Sequence, residues 1–314
     1  MIIKGRDSPI SLIGYEVLLK RLSKSHEKYY MIQDRFLSAK AGRGGEEEFD
    51  RIIEKQHLGV PHLFLHDLSL NKDFQVDSLL ITQNYLFVFE IKNLGGKINF
   101  LSNPLRVEQE YEDGKERAYD LSQMDKSTYY LSRWLEMRGI KLPVYRAFVL
   151  PYPKKFENHT NMTVLFPNAV PPYIRSIRQG KTRISESQMK EIGEQLKLEH
   201  RGFKPFPMCK RWGIDPKDLL TGVECEKCGR LGMEKVIRGW FCRKCGFFNV
   251  NAHEKTMKEY FMLVGDTITN RECRWFLGIG DRHVATRILI GMKLAAIGEK
   301  RHTKYVFDYQ NMVK

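Results

Sequence analysis

Apolar residues recur along this chain with a period near 3.6 in some stretches and 2 in others, and the changes of period mark its elements. Residues 1 to about 38 carry a helical pattern rich in Lys and Arg that ends before the glycine cluster AGRGGEE. Beyond it the pattern predicts a helix over 45–56 and strands near 63–70, 74–82 and 85–92. A hairpin follows across RVEQEYEDGKERAYD, turning at Asp113-Gly114. A helix over 121–138, strands at 143–150 and 162–166, and a helix over 185–200 complete the series, and the prolines of FKPFPM and IDPKD then mark a connector. Helices and strands alternating over residues 41–180 predict an α/β core.

The stretch FQVDSLLITQNYLFVFEIKN, Phe74 to Asn93, is apolar on both faces. On the second strand Glu90 and Lys92 share a face with Leu86 and Val88, while Phe87, Phe89 and Ile91 take the other. A sheet covered on both sides accounts for that pattern. With a turn centred on Gln83, position 77 falls opposite 89, give or take one residue, which brings Asp77 beside Glu90. Two adjacent carboxylates repel unless one holds a proton or a hard divalent cation, Mg²⁺ or Mn²⁺, sits between them. Lys92 on the same face suits stabilisation of charge on a phosphate or the holding of an attacking water. The competing reading is that the three charges face solvent or form an ion pair.

Composition narrows the choice. The 314 residues suffice for about two domains plus small modules. No uncharged apolar run approaches the roughly 18 residues of a membrane span. The start, MIIKGRDSPISLIGYEVLLKRL, has no apolar run followed by a small-residue cleavage site, so a cytoplasmic protein is expected. A net charge of +14 favours a polyanionic partner, nucleic acid before a membrane.

Four of the six cysteines form one cluster, Cys225 and Cys228 followed by Cys242 and Cys245. Two Cys-x-x-Cys knuckles, each followed by a glycine (Gly229, Gly246), have the spacing of a closed four-thiolate Zn²⁺ site, structural because no coordination position stays open. A redox dithiol pair is the alternative. The intervening LGMEKVIRGWF reads as a hairpin turning at Arg238-Gly239, which makes the segment a zinc ribbon. Cys209 and Cys273 are expected to pack as small hydrophobes.

The tail reads as a helix-turn-helix. Thr269 caps a helix over 270–277, GIG turns the chain, and Asp281 caps a helix over 282–294, with Leu277, Val284, Ile288 and Leu289 between them. Residues 255–314 hold eleven Lys or Arg against six acidic residues. Arg282, His283, Thr286 and Arg287 are expected on the exposed face of the second helix, and GEKRHTKYVF, with Lys300, Arg301 and Lys304, resembles a basic wing. A protein-docking helical module is the competing reading.

The words GGEEEFD, LHDLSL, FQVDSLL and VFEIKNLGG occur here in the order they take in the nuclease-related domain, a branch of the PD-(D/E)xK nuclease superfamily. The chain resembles bacillus-type members in which that domain precedes a zinc ribbon and a short helical tail. The resemblance implies Asp77 and Glu90 as ligands of Mg²⁺ or Mn²⁺, Lys92 as the catalytic lysine, and Glu46 as the acidic residue of the first helix. Of the three consecutive glutamates, Glu46 also lies nearest the apolar face made by Phe49, Ile52 and Ile53, although a helix N-terminus favours acidic residues in any case. Gln75 belongs to the family's Gln-x-Asp signature, and Gln123 in DLSQ matches its Gln without the Asn-Pro that precedes it there.

The expected architecture is a restriction-endonuclease-like mixed sheet flanked by helices, then a small zinc ribbon and a small winged-helix-like module. Its parts are an N-terminal helical extension (1–38), the nuclease-related domain with a helical extension (39–201), a connector (202–221), the ribbon (222–250) and a DNA-binding module (253–314). The expected function is metal-dependent phosphodiester hydrolysis of nucleic acid, DNA before RNA. A non-catalytic nucleic-acid-binding adaptor or regulator is the alternative.

Overall fold

A computed structural model describes residues 1–71, 74–178, 180–202, 205–299 and 302–309. Its contacts divide the chain into two units, Met1–Asp7 with Ser38–Phe203 and Ser8–Leu37 with Lys204–Lys314. The first 38 residues are therefore shared: strand β1 (Ile2–Lys4) belongs to the first unit and helix α1 (Ile10–Arg21) to the second. Among the described residues no helix is long and apolar enough to cross a membrane.

Helix α2 runs unbroken from Tyr29 to Ile53. It corrects the expectation of a helix ending before AGRGGEE and a new one starting at 45. Glycine costs about 1 kcal/mol in a helix interior relative to alanine, but packing offsets that cost here. A Cβ on Gly45 would lie 2.9 Å from Pro151 Cγ and 3.1 Å from Asn93 Cβ, so only glycine lets the helix approach so closely.

In the first unit, β2 (His62–Asn71), β3 (Phe74–Thr82) and β4 (Leu86–Ile91) form an antiparallel meander. The strands β5 (Lys97–Ser102), β6 (Leu105–Glu110), β7 (Glu116–Asp120) and β9 (Phe156–Asn158) make a separate four-stranded sheet, ordered β7-β6-β5-β9, that includes the expected hairpin. β8 (Val144–Val149) and β10 (Val164–Leu165) extend the main sheet in parallel, giving the order β1-β2-β3-β4-β8-β10. Helices α3 (Ser122–Glu136) and α5 (Glu186–Glu199) place Leu131, Trp134, Met189 and Leu196 against one face of it. Phe49 and Ile53 of α2, with Ile174 of α4 (Val170–Ser176), cover Phe87, Phe89 and Ile91 on the other. β4 is buried throughout, as its two-faced apolar pattern requires.

One distortion shapes this sheet. The ladder pairs His66 with Ser78 and Leu68 with Val76, which leaves Asp67 opposite Asp77. Leu63, Leu65, Leu79 and Ile81 join the α3/α5 cluster, yet past the Asp pair Leu68, Val76 and Phe74 join it too, so both strands change face at these two aspartates. Asp67 has φ +49°, a left-handed conformation that Asp tolerates better than most residues.

In the second unit α6 spans Met208–Trp212, and the ribbon hairpin β11 (Glu234–Val236) and β12 (Gly239–Phe241) pairs with β13 (Phe248–Asn249). The hairpin turns at Ile237-Arg238 rather than Arg238-Gly239, with Arg238 at φ +64°. Gly239 lies in the strand because the Phe248 ring sits over it, where a Cβ would come within 2.4 Å of Cζ. Then α7 (Ala252–Leu263), β14 (Thr267–Thr269), α8 (Asn270–Leu277), α9 (Arg282–Gly291), β15 (Ala295–Ile297) and β16 (Lys304–Val306) follow, three helices with a three-stranded sheet of order β14-β16-β15. Thr269 and Glu272 make a capping box on α8, and Asp281 accepts from the His283 and Val284 N–H groups to cap α9, which ends at Gly291 rather than 294. Arg21, fully buried, donates to Glu259 Oε2 at 2.7 Å and lies 4.6 Å over the Phe276 ring, tying α1 to α7 and α8.

Candidate functional site

Ser78 pairs with Phe89 and Ile81 with Leu86, so Asp77 faces Glu90 where the β3–β4 ladder ends, within the expected one-residue tolerance. Both carboxylates are buried, each about 8% exposed. Asp77 Oδ2 accepts from the Ile91 N–H at 2.8 Å, and Glu90 Oε1 accepts from Lys92 Nζ at 2.7 Å. The Lys92 N–H donates to the Val149 carbonyl, which fixes its backbone beside β8. Burial, then the Asp77 charge, pushes the Glu90 carboxyl up to about 7. Lys92 is pulled down by burial, but the carboxylates of Asp77, Glu90 and Glu46 hold it above its ordinary value. The ammonium is thus fixed in its charged form at neutral pH.

Glu46 is the member of EEE that turns toward the sheet. Glu47 is exposed and paired with Arg43 at 2.8 Å, and Glu48 is paired with Arg51 at 2.6 Å. Burial, then the Asp77 charge, pushes the Glu46 carboxyl up to about 8, against the pull of Arg6 and Arg43. Among the described residues, no three carboxylate or imidazole groups gather within 4.8 Å of one another. Glu46, Asp77 and Glu90 are an electrostatic cluster rather than a closed cage.

Sequence reasoning missed Arg6. Its guanidinium, 4% exposed, binds Asp50 through Nε at 2.7 Å and Nη2 at 3.0 Å, and Asp67 Oδ1 through Nη1 at 2.8 Å. It also donates to the Asp77 carbonyl and Ser78 Oγ, each at 3.1 Å, and lies 3.4 Å from Glu46 Oε2. One cation therefore holds α2 to the point where β2 and β3 change face. His66 lies at its edge, 2.9 Å from Ser78 Oγ through Nδ1, and burial and the Arg6 charge push it down to about 3, leaving the ring neutral. No sequence signal joins Arg6 to partners 40 to 72 residues away. Gln75 is exposed on β3, and Gln123 is half-buried at the start of α3.

Cys225, Cys228, Cys242 and Cys245 bring their sulfurs within 4.8 Å of one another, a group able to hold a metal ion. The Sγ distances Cys225–Cys245 and Cys228–Cys242 are both 3.6 Å, far beyond the ~2.05 Å of a disulfide and close to the ~3.8 Å edge of a tetrahedron with Zn–S near 2.3 Å. Gly229 and Gly246 both have φ +70°, and each donates its N–H to the first cysteine of its knuckle's turn, Cys225 and Cys242. Although burial opposes it, hydrogen bonds from the Cys245 and Lys244 N–H groups and the neighbouring thiols push Cys242 down to about 6, while Cys245, against the pull of the Phe247 N–H, is pushed up to about 12 by burial and the same thiols. On α9, Arg282, His283 and Arg287 are exposed, and so is Lys304 on β16. Thr286 is half-buried instead, its hydroxyl donating to the Arg282 carbonyl and accepting from Asn270 Nδ2. Lys300 and Arg301 lie outside the described residues.

Residues 41–151 match the nuclease-related domain. No curated protein and no solved structure matches the chain. The nuclease-related domain encloses Glu46, Asp77, Glu90 and Lys92, together with Gln75 and Gln123, and it indicates a nuclease-related function. Arg6 and the four cysteines fall outside the matched stretch.

Proposed function

We propose that the first unit is a phosphodiester hydrolase of the PD-(D/E)xK type acting on nucleic acid, DNA before RNA. The observation that carries the reading is the convergence of buried Asp77 and Glu90 with a charged Lys92 at the end of one ladder. Oxygen-only donors on carboxyls pushed toward neutrality fit a hard divalent cation, which relieves the same repulsion a proton relieves. Asp77 and Glu90 would hold Mg²⁺ or Mn²⁺, with Glu46 beside them. When bound, such an ion polarises a phosphoryl oxygen and lowers the pKa of its water.

The chain's own residues do the rest. Lys92, too firmly protonated to serve as a base, keeps its proton and sets a positive charge against the phosphate oxygens as negative charge develops on them. Asp77, held by the Ile91 N–H, and Glu90, held by Lys92, stay oriented without substrate. Arg6 fixes Glu46 and the Asp77 backbone. In the second unit, Arg282, His283 and Arg287 of α9 and Lys304 of the wing suit phosphate and groove contacts, and the four cysteines suit a structural Zn²⁺. Purified protein should therefore cleave labelled DNA with Mg²⁺ or Mn²⁺ and not without added metal. Tight binding without cleavage of linear, circular, single- or double-stranded DNA or RNA would instead identify a non-catalytic adaptor.

A further inference from the structure

The outer face of the ribbon sheet carries exposed apolar side chains. Trp240 of β12 points inward, fully buried, and its Nε1 donates to His253 Nδ1 of α7 at 3.1 Å. Side chains alternate along a strand, so Phe241 points outward, and its register partner Phe248 on β13 shares that face. The outer face of a small covered sheet is normally polar. Here Phe241 is 36% exposed, Phe248 47% and Val236 37%, with Ile237 at the hairpin tip 89% exposed. A cluster of this kind outside a packed core marks a binding surface.

Both rings are held on regular strands. Phe248 lies over Gly239, the position where no Cβ fits. Phe241 stands opposite Glu234, whose carboxylate binds Arg243 Nε at 2.7 Å. Charge selects the partner. Lys227, Arg230, Arg238, Arg243 and Lys244 are all exposed, against exposed Glu226 and Glu234, one of which Arg243 already occupies. A flat aromatic ligand that brings its own negative charge fits two fixed rings with cations around them.

We infer that the outer face of the ribbon binds single-stranded nucleic acid, with unpaired bases stacked on Phe241 and Phe248 and phosphates met by the surrounding Lys and Arg. Every base has a π-face, so binding is tolerant of sequence, and strong salt dependence follows from the phosphate contacts. Its residues are not those of the Asp77 and Glu90 cluster, and binding does not depend on hydrolysis.

The test uses the full-length protein and a fluorescein-labelled 15-nucleotide oligothymidylate in buffer without divalent cations, so that cleavage plays no part. Replacing both rings (Phe241→Ala with Phe248→Ala) should weaken binding by on the order of 10²-fold, about tenfold for each stack lost. Zinc content and binding to a blunt duplex should stay at the wild-type level, which shows that the ribbon is folded and the α8–α9 module intact. The double Trp variant should bind as the wild type does, and the double Leu variant, apolar but unable to stack, should fail like the Ala pair. Unchanged oligothymidylate binding by the Ala pair overturns the inference. So does full binding by the Leu pair, or a wild-type dimer on gel filtration that the Ala pair dissociates, which would make the face a contact between copies. Absence of cleavage in a separate assay bears on the hydrolase and leaves this binding test untouched.

Discussion

Glu90→Gln should stabilise the metal-free protein at pH 8 and leave it unchanged near pH 4.5. Burial and Asp77 raise the Glu90 carboxyl from 4.5 to about 7 in the folded chain. The folded state therefore keeps a proton that the unfolded state has lost, and stability falls as pH rises from about 4.5 through 7, then levels. The difference between 4.5 and about 7, at about 1.4 kcal/mol per tenfold, gives an upper value of about 3 kcal/mol. Water at the side where Lys92 is 38% exposed screens the charge and reduces this to about 1–2 kcal/mol. Gln keeps an oxygen for Lys92 Nζ, so the variant removes the buried charge without removing the hydrogen bond. Calorimetry of metal-free protein should show the variant melting a few degrees above the wild type at pH 8, at about 2–4 °C per kcal/mol, with the gap closing toward pH 4.5. Mg²⁺ or Mn²⁺ should raise the wild type and not the variant. A variant less stable than the wild type at pH 8, or a gap independent of pH, would refute the reasoning.

Arg6→Ala takes the guanidinium from Asp50 and leaves Asp67 and Glu46 with Arg43 alone, and should cost about 3 kcal/mol, read by denaturant unfolding. Gly42→Ala, which meets open space, should stabilise by about 0.5–1 kcal/mol, whereas Gly45→Ala, which meets Pro151 and Asn93, should destabilise by about 1 kcal/mol or more. Cys242→Ser should lower bound zinc from one atom per chain to none by metal analysis, since a closed thiolate site loses its ion with one ligand.

The alternation of β4 was readable from the sequence because each face is covered by its own apolar layer, so every second residue reports one cluster. The Asp77–Glu90 adjacency was legible to within one residue from a turn centred on Gln83; the turn is centred between Gln83 and Asn84, where the Thr82 N–H donates to the Tyr85 carbonyl. The paired Gly229 and Gly246 conformations and the Thr269 and Asp281 caps are local chemistry and were equally legible. What stayed hidden depends on distant partners. Gly45 looks like a helix breaker until Pro151 and Asn93 are placed against it. Gly239 looks like a turn residue until Phe248 covers it, and Arg6 looks like one more surface cation until three acidic side chains surround it. The reversal of face at Asp67 and Asp77 leaves no trace in a period of two counted along either strand alone.

The central claim is that Lys92 and Asp77 perform chemistry rather than merely support a fold, and one comparison tests it most directly. Cleavage and binding of the same labelled DNA are measured for the wild type, Lys92→Ala and Asp77→Asn. Binding should change little in both variants, because phosphate contacts are spread over many Lys and Arg of a +14 chain. Cleavage should slow by on the order of 10²–10³-fold, the loss expected when one group stabilises charge only in the transition state. Cleavage at the wild-type rate in both variants would contradict it.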